Sequence, residues 1–305
     1  MDFIKMMQRA VNEKQLQGKM KTAALYSTAT ISFSHFITDI LHLRSIDVRN
    51  LNRNVIAHYE HYLIDVCGVT RNTSSAYMRP LKTTYNYAVK LNICVNKHPF
   101  DNVFTGIDKT CKRAVSQCVI KHLIALDLTG SPELQFSRDL FLFSFYTRGM
   151  SFIDVACLTH HNINNGRIVY SRHKTRRLQS VKIEPPIQAI IDRYISNERK
   201  YIFPILKDDE FEQKCYDSAL RLHNLHLHKL SQMLNLTAPL TSYVARHSWA
   251  TQAHRKHIPV KVISEALGHT TEETTIIYLA SLNESQIDKA NHKILLEYQD
   301  CADNV

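Results

Sequence analysis

The sequence predicts a mainly α protein with one small β-sheet, divided into two domains. Three observations lead there. Residues 1–105 read as helical, with apolar positions near helical spacing. A polar stretch containing Pro99 and Gly106 then loses that periodicity. Beyond it, helical segments are interrupted by one pair of strand-like runs around a very basic turn. A length of 305 residues suits two domains, and 44% apolar residues suffice for a real core.

In the front domain, residues 1–105, the segment KTAALYSTATISFSHFIT is helical by spacing, and NVIAHYEHYLIDVCG closes on the helix-stop glycine Gly68. TSSAYMRPLKTTYNYAVKLNIC follows, with Thr73 expected as its N-cap and Pro80 as a kink. Residues 106–116 read as a linker that carries Lys109, Lys112 and Arg113. In the back domain, residues 117–305, QFSRDLFLFSFYTRGMSFIDVACL is expected as a long buried helix interrupted at Gly149. Gly166 opens the run Ile168-Val169-Tyr170, and Val181 to Ile183 forms the second run, closed by two prolines. RHKTRR is the turn between them. Four helical segments follow, including VARHSWATQAHRKH and VKVISEALG. EETTIIYLA is helical with Thr270 and Glu273 as a capping box, and an amphipathic helix lies in the tail.

Composition narrows the function. Seven cysteines, odd in number, widely spaced and without CxxC, exclude a disulfide framework and a cysteine zinc site. No secretory leader and no membrane-length apolar run are present, which places the chain in the cytoplasm. The net charge of +10 points to a polyanion. Residues 1–105 hold 13 Lys and Arg against 7 Asp and Glu, a net +6, so the front third is the denser in positive charge. Arg79, Lys82 and Lys90, interleaved with Tyr77, Tyr85 and Tyr87, suit contacts to a DNA backbone; a half-buried helix with solvated cations gives the same pattern. His223 and His226 share a helix face, but no acidic partner or HExxH completes a metal site, so solvated or DNA-facing histidines are expected and no cofactor.

One constellation carries chemistry. Arg246, His269 and Tyr278 lie within about thirty residues, downstream of the basic hairpin. A tyrosine phenol, with a pKa of about 10, attacks a phosphodiester only with help. Cations must neutralise the non-bridging oxygens, a base must take the phenol proton, and an acid must protonate the departing oxygen. Arginine's permanently charged planar fork suits the first task, histidine the proton handling, and a lysine on a hairpin tip the acid. Each residue taken singly fits an ordinary core or surface position, and spacing alone does not fix the reaction.

SYVARHSWAT followed by LGHTTEETTIIYLASL resembles the C-terminal signature of the tyrosine recombinases, the phage integrase family, and RGMSFID upstream resembles its Bacteroides-type branch. Nearly the whole chain takes part. The resemblance implies a helical SAM-like core-binding domain in front, an α+β catalytic domain behind, and a clamp around double-stranded DNA. It implies Tyr278 as the nucleophile forming a 3′-phosphotyrosine link, Arg246 on the scissile phosphate, His269 assisting, and Lys174 as general acid, with no ATP or metal. His247 is read as structural. Arg176 and Arg177 join Lys112 and Arg113 as expected DNA contacts.

Two positions depart from the family pattern. Tyr243 stands where a histidine is usual, three residues before Arg246, which shifts proton acceptance onto His269. Ser151 stands where the first arginine is usual, and either Arg148 or Arg172 is expected to replace it. The resemblance further implies four protomers on two short inverted-repeat core sites, coupled through the tail beyond Leu282. The start of the chain leaves no room for an arm-binding domain, which favours a simple recombinase such as a DNA invertase. A catalytically impaired regulator and a type IB topoisomerase are the alternative readings.

Overall fold

The computed structural model describes residues 1–108, 114–207 and 213–279, the side chains of 277–279 excepted. The chain forms two compact units, Met1–Thr110 and Cys111–Val305. Among the described residues it is mainly helical with one three-stranded sheet.

The first unit is all α. Helix α1 spans Phe3–Leu16, and the Asp2 carboxylate accepts the Ile4 and Lys5 N–H groups at its start, satisfying two of the otherwise orphaned donors. Helix α2, Met20–His35, runs on into a π-helical turn at Phe36–Ile40. Helix α3, Arg53–His61, is capped by Asn52 and ends in a second π-helical turn, Tyr62–Val66, before Gly68. Helix α4 spans Arg71–Lys90 and continues through Pro80. Its N-cap is Thr70 rather than Thr73: the Thr70 hydroxyl accepts the Thr73 N–H at 3.3 Å, so Thr73 belongs to the first turn. Phe33, Phe36 and Tyr59 form the aromatic centre, with Tyr59 4.9 Å from Phe33 and 5.2 Å from Phe36 between ring centroids. Residues 104–108 fold back on α4. Ser75 Oγ donates to the Gly106 carbonyl at 2.6 Å, and Asn72 exchanges two hydrogen bonds with the Asp108 backbone.

The second unit begins with α5, Gln117–Ala125, and α6, Pro132–Tyr146. Helix α6 ends before Gly149, and the short α7, Phe152–Ala156, starts after it. Arg148 and Gly149 are both left-handed, at φ 63° and 75°, which turns the chain sharply between the two helices. Strands β1, Ile163–Asn164, β2, Arg167–Ser171, and β3, Leu178–Lys182, pair antiparallel in the order β1-β2-β3. Strand β1 is two residues long, too short for alternation to betray it in the sequence. Ile168 faces Val181 across the hairpin, and both sit in the core with Tyr170.

Helices α8, Pro185–Tyr194, α9, Gln213–Met233, α10, Ser242–Arg255, and α11, Val260–Leu267, complete the packing. Helix α12, Glu272–Leu279, carries Tyr278. It begins at Glu272, so Thr271 and not Thr270 immediately precedes it. The threonine expected to open a capping box is therefore one residue too early. The tail from residue 280 onward lies outside the described residues, as do Lys109, Lys112 and Arg113.

Candidate active site

The site is built around the end of α11. Gly268 adopts φ 63°; its N–H donates to Glu265 O at 2.9 Å, and the His269 N–H donates to Ser264 O at 3.0 Å. This is the six-to-one and five-to-two pattern of a Schellman ending. The last carbonyls of a helix point outward and carry the negative end of its dipole, so they attract cations. Three arginines meet the last helical carbonyl and the two that follow it. Arg246 Nη2 donates to the Leu267 carbonyl, Arg172 Nη1 to Gly268 O at 2.8 Å, and Arg177 Nη1 to the His269 carbonyl.

These arginines come from distant parts of the chain. Arg246 lies on α10 and is almost fully buried; its Nη1 also donates to Gly149 O at 2.8 Å. The Gly149 turn lies against it so closely that a Cβ there would be 2.7 Å from the Arg246 Cα and Cγ. Arg172 follows β2 and continues its alternation. Ile168 and Tyr170 point inward, and so does Arg172, which is buried. Tyr170 lies in the field of Arg246, Arg172 and Arg148, yet burial pushes its phenol above the usual range, with Asp154 adding to the rise.

Asp154 ties α7 to the hairpin. It receives the Ser151 hydroxyl at 2.5 Å and the His173 N–H at 2.8 Å. The Ser151 hydroxyl is therefore committed to a carboxylate, and the backbone next to Lys174 is anchored. Lys174 itself is exposed in the turn between β2 and β3. Arg176, also exposed, has φ 57° and closes the turn through its N–H to Arg172 O.

Arg148 and Arg172 are thus not equivalent. Arg148 Nη2 donates to Ser180 O on β3 at 2.5 Å, next to Arg167, which holds the same residue. Arg172 shares one three-residue turn with Arg246 and His269. The His269 ring is buried, and its Nδ1 lies 2.8 Å from Thr275 Oγ1 on α12. Tyr243 is half exposed at the start of α10, its ring edge-on to His247 at 4.8 Å.

Some expectations require correction. His223 is neither solvated nor positioned to meet DNA: it is buried, stacked on Phe152 at 4.6 Å, and desolvation lowers its pKa to about 3. His226 is within 3.0 Å of the Ser137 hydroxyl. No group of three potential metal-binding side chains occurs among the described residues. In the first unit Tyr85 is a core residue, its hydroxyl engaged with Val95 O and Lys97 N–H, so it is not an interleaved DNA contact. Arg79 and Lys90 are exposed on α4, and Lys82 reaches Thr105 at 3.5 Å. Sequence reading missed Thr275 and the anchoring part played by Asp154. It also gave Arg177 to DNA alone. The spacing of these residues carries no signal, because their partners are backbone atoms far away in sequence.

Comparison with known proteins agrees with this architecture. Residues 2–107 match the phage integrase SAM-like domain, and residues 119–285 match the phage integrase family. The chain is 22% identical over 235 residues to the tyrosine recombinase XerD of Halalkalibacterium halodurans, covering 75% of this chain and 77% of that one. It is 24% identical over 164 residues to XerD of Chlamydia trachomatis, covering 50% and 52%. Among solved structures, the Tn1549 transposon integrase in complex with a circular intermediate DNA superposes with a TM-score of 0.71 at 15% identity, over 96% of this chain and 99% of that one. A lambda integrase dimer bound to a core site gives 0.72 at 12%, over 93% and 97%. The chain belongs to the phage integrase family. Within it, the protein is a tyrosine-type site-specific DNA recombinase.

Proposed function

We propose that Tyr278 attacks a scissile phosphate in duplex DNA and forms a 3′-phosphotyrosine link. The observation that carries this reading is the convergence of Arg246, Arg172 and His269 on the turn that leads directly into the helix of Tyr278. As the phenol oxygen bonds to phosphorus, its proton passes to His269. The bond to the 5′ oxygen breaks, and Lys174 protonates that oxygen. The Arg246 and Arg172 guanidinium groups neutralise the non-bridging oxygens in place of a metal. A 5′-hydroxyl of the partner strand then reverses these steps and releases Tyr278. The phosphotyrosine conserves the bond energy, so no ATP is consumed.

Arg172 replaces the arginine that Ser151 cannot supply. It is buried beside Arg246, whereas Arg148 is held on the outer strand. Tyr243 contributes at most a hydrogen bond, since a phenol is a poor base at neutral pH. Arg79, Lys82 and Lys90 on α4, with Lys112, Arg113, Arg176 and Arg177, contact the DNA backbone; Arg177 does so with the donors that its bond to His269 leaves over. Four protomers on two short inverted-repeat sites, linked through the tail, carry out DNA inversion in the cytoplasm, on the nucleoid.

Long-read sequencing of DNA around the gene, in cells expressing the native chain or Tyr278→Phe, tests this. Rearranged junctions with the native chain alone are expected, and they reveal the site. Junctions at equal frequency in both would remove Tyr278 as the nucleophile.

A further inference from the structure

A buried side-chain contact joins the turn after α11 to the helix α12. His269 is 8% exposed and Thr275 is 0% exposed, and His269 Nδ1 lies 2.8 Å from Thr275 Oγ1. The main chain of His269 is fixed independently on both sides: its N–H donates to Ser264 O, and its carbonyl accepts from Arg177. Backbone and Nδ1 are thus held from three directions, and Nε2 lies on the opposite edge of the ring. Thr275 precedes Tyr278 by three residues on the same helix. That spacing is about 4.5 Å along the axis and about 60° around it.

We propose that Thr275 is a positioning residue. Its hydroxyl oxygen accepts the His269 Nδ1–H, holds the imidazole in the tautomer whose lone pair is on Nε2, and couples that nitrogen to the docking of the nucleophile's helix. The inference rests on the reading of His269 as proton acceptor and Tyr278 as nucleophile. A neutral imidazole has one donor and one acceptor nitrogen, so a hydroxyl that accepts from Nδ1 leaves the lone pair on Nε2. Threonine is suited to the task because its hydroxyl oxygen can accept a hydrogen bond, a capacity that serine keeps and valine lacks. When α12 is docked, the nucleophile and a correctly oriented base arrive together.

The test uses the full chain and three variants, Thr275→Val, Thr275→Ser and His269→Gln. The first readout is the tautomer of His269 in DNA-free protein labelled with 15N-histidine, recorded at pH 8 by long-range 1H–15N correlation, with His269→Gln assigning the signal. The native chain and Thr275→Ser are expected to show Nδ1 protonated and Nε2 unprotonated. Thr275→Val, equal in shape but without an acceptor, is expected to lose that single state. The second readout is single-turnover formation of the covalent adduct on a duplex carrying the junction sequence recovered from cells. Thr275→Val is expected to be about 10-fold slower at unchanged DNA affinity, part of the roughly 10²–10⁴ that positioned proton transfer supplies. Thr275→Ser is expected to restore the rate.

A native His269 protonated on Nε2, or a Thr275→Val chain with unaltered tautomer and rate, overturns the proposal. If Thr275→Val cleaves normally while His269→Gln is slow, the positioning role alone falls. If His269→Gln cleaves at the native rate, the acceptor role of His269 falls first and takes the positioning role with it.

Discussion

On the proposed reading, in which Ser151 stands where the family's first arginine is expected, the second cation is a question of single residues. A phosphorane with a single guanidinium beside it is under-neutralised, and the hydroxyl of Ser151 is already donated to Asp154. Arg172 enters from the hairpin and occupies the same turn as Arg246. Arg172→Ala is therefore expected to slow covalent adduct formation by about 10²–10³, the scale of one lost oxyanion-stabilising donor. Arg148→Ala is expected to lose much less, because that guanidinium lies against β3 and not on the turn that Arg246 and Arg172 share. Single-turnover cleavage of the recovered site compares them, and a normal rate for Arg172→Ala would take Arg172 out of the site.

At the scale of elements, α9 supports α7 through an unusual core contact. The His223 ring lies flat on Phe152, the residue after Ser151, and burial lowers its pKa from 6.5 to about 3. A histidine depressed in the folded state contributes stability that is fully present above the unfolded pKa. That stability is lost as the pH falls toward the folded value, because the unfolded chain takes up the proton first. The affected window is therefore about pH 6.5 down to 3. Between pH 7 and pH 5 the native chain is expected to lose about 1–2 kcal/mol more than His223→Phe, which keeps a flat ring but cannot titrate. Urea denaturation at the two pH values measures the difference, and equal losses would show that His223 does not govern acid sensitivity.

At the scale of the whole molecule, charge and fold divide the labour. The net +10 draws a polyanion, and the exposed Arg79 and Lys90 lie about 20° apart around α4, eleven residues apart. Each is expected to contact one phosphate. Arg79→Gln and Lys90→Gln should each reduce the slope of log affinity against log salt by about 1 while leaving sequence preference unchanged. Binding titrations at several salt concentrations read this directly, and an unaltered slope would return these residues to ordinary solvated surface. No described helix is long and apolar enough to cross a membrane.

The sequence by itself determined the class of fold, the hairpin and the positions of Arg246, His269 and Tyr278, because periodicity, β-branched runs and a compact signature are local properties. Against the pattern that the resemblance implies, it also marked Ser151 and Tyr243 as departures. Local pattern failed where partners are remote. Thr70 rather than Thr73 caps α4, because capping depends on which hydroxyl reaches an orphaned N–H. Tyr85 and His223 are buried, because burial belongs to the packing of several helices. Arg172 and Arg148 were equally open in the sequence, and the fold gives them different surroundings. Strand alternation buries Arg172 beside Gly268, while a left-handed turn sends Arg148 to β3. Likewise only the tertiary structure brings Thr275 to His269 and three arginines to three successive carbonyls. Those contacts depend on the direction of a helix end in space, which no spacing along the chain encodes.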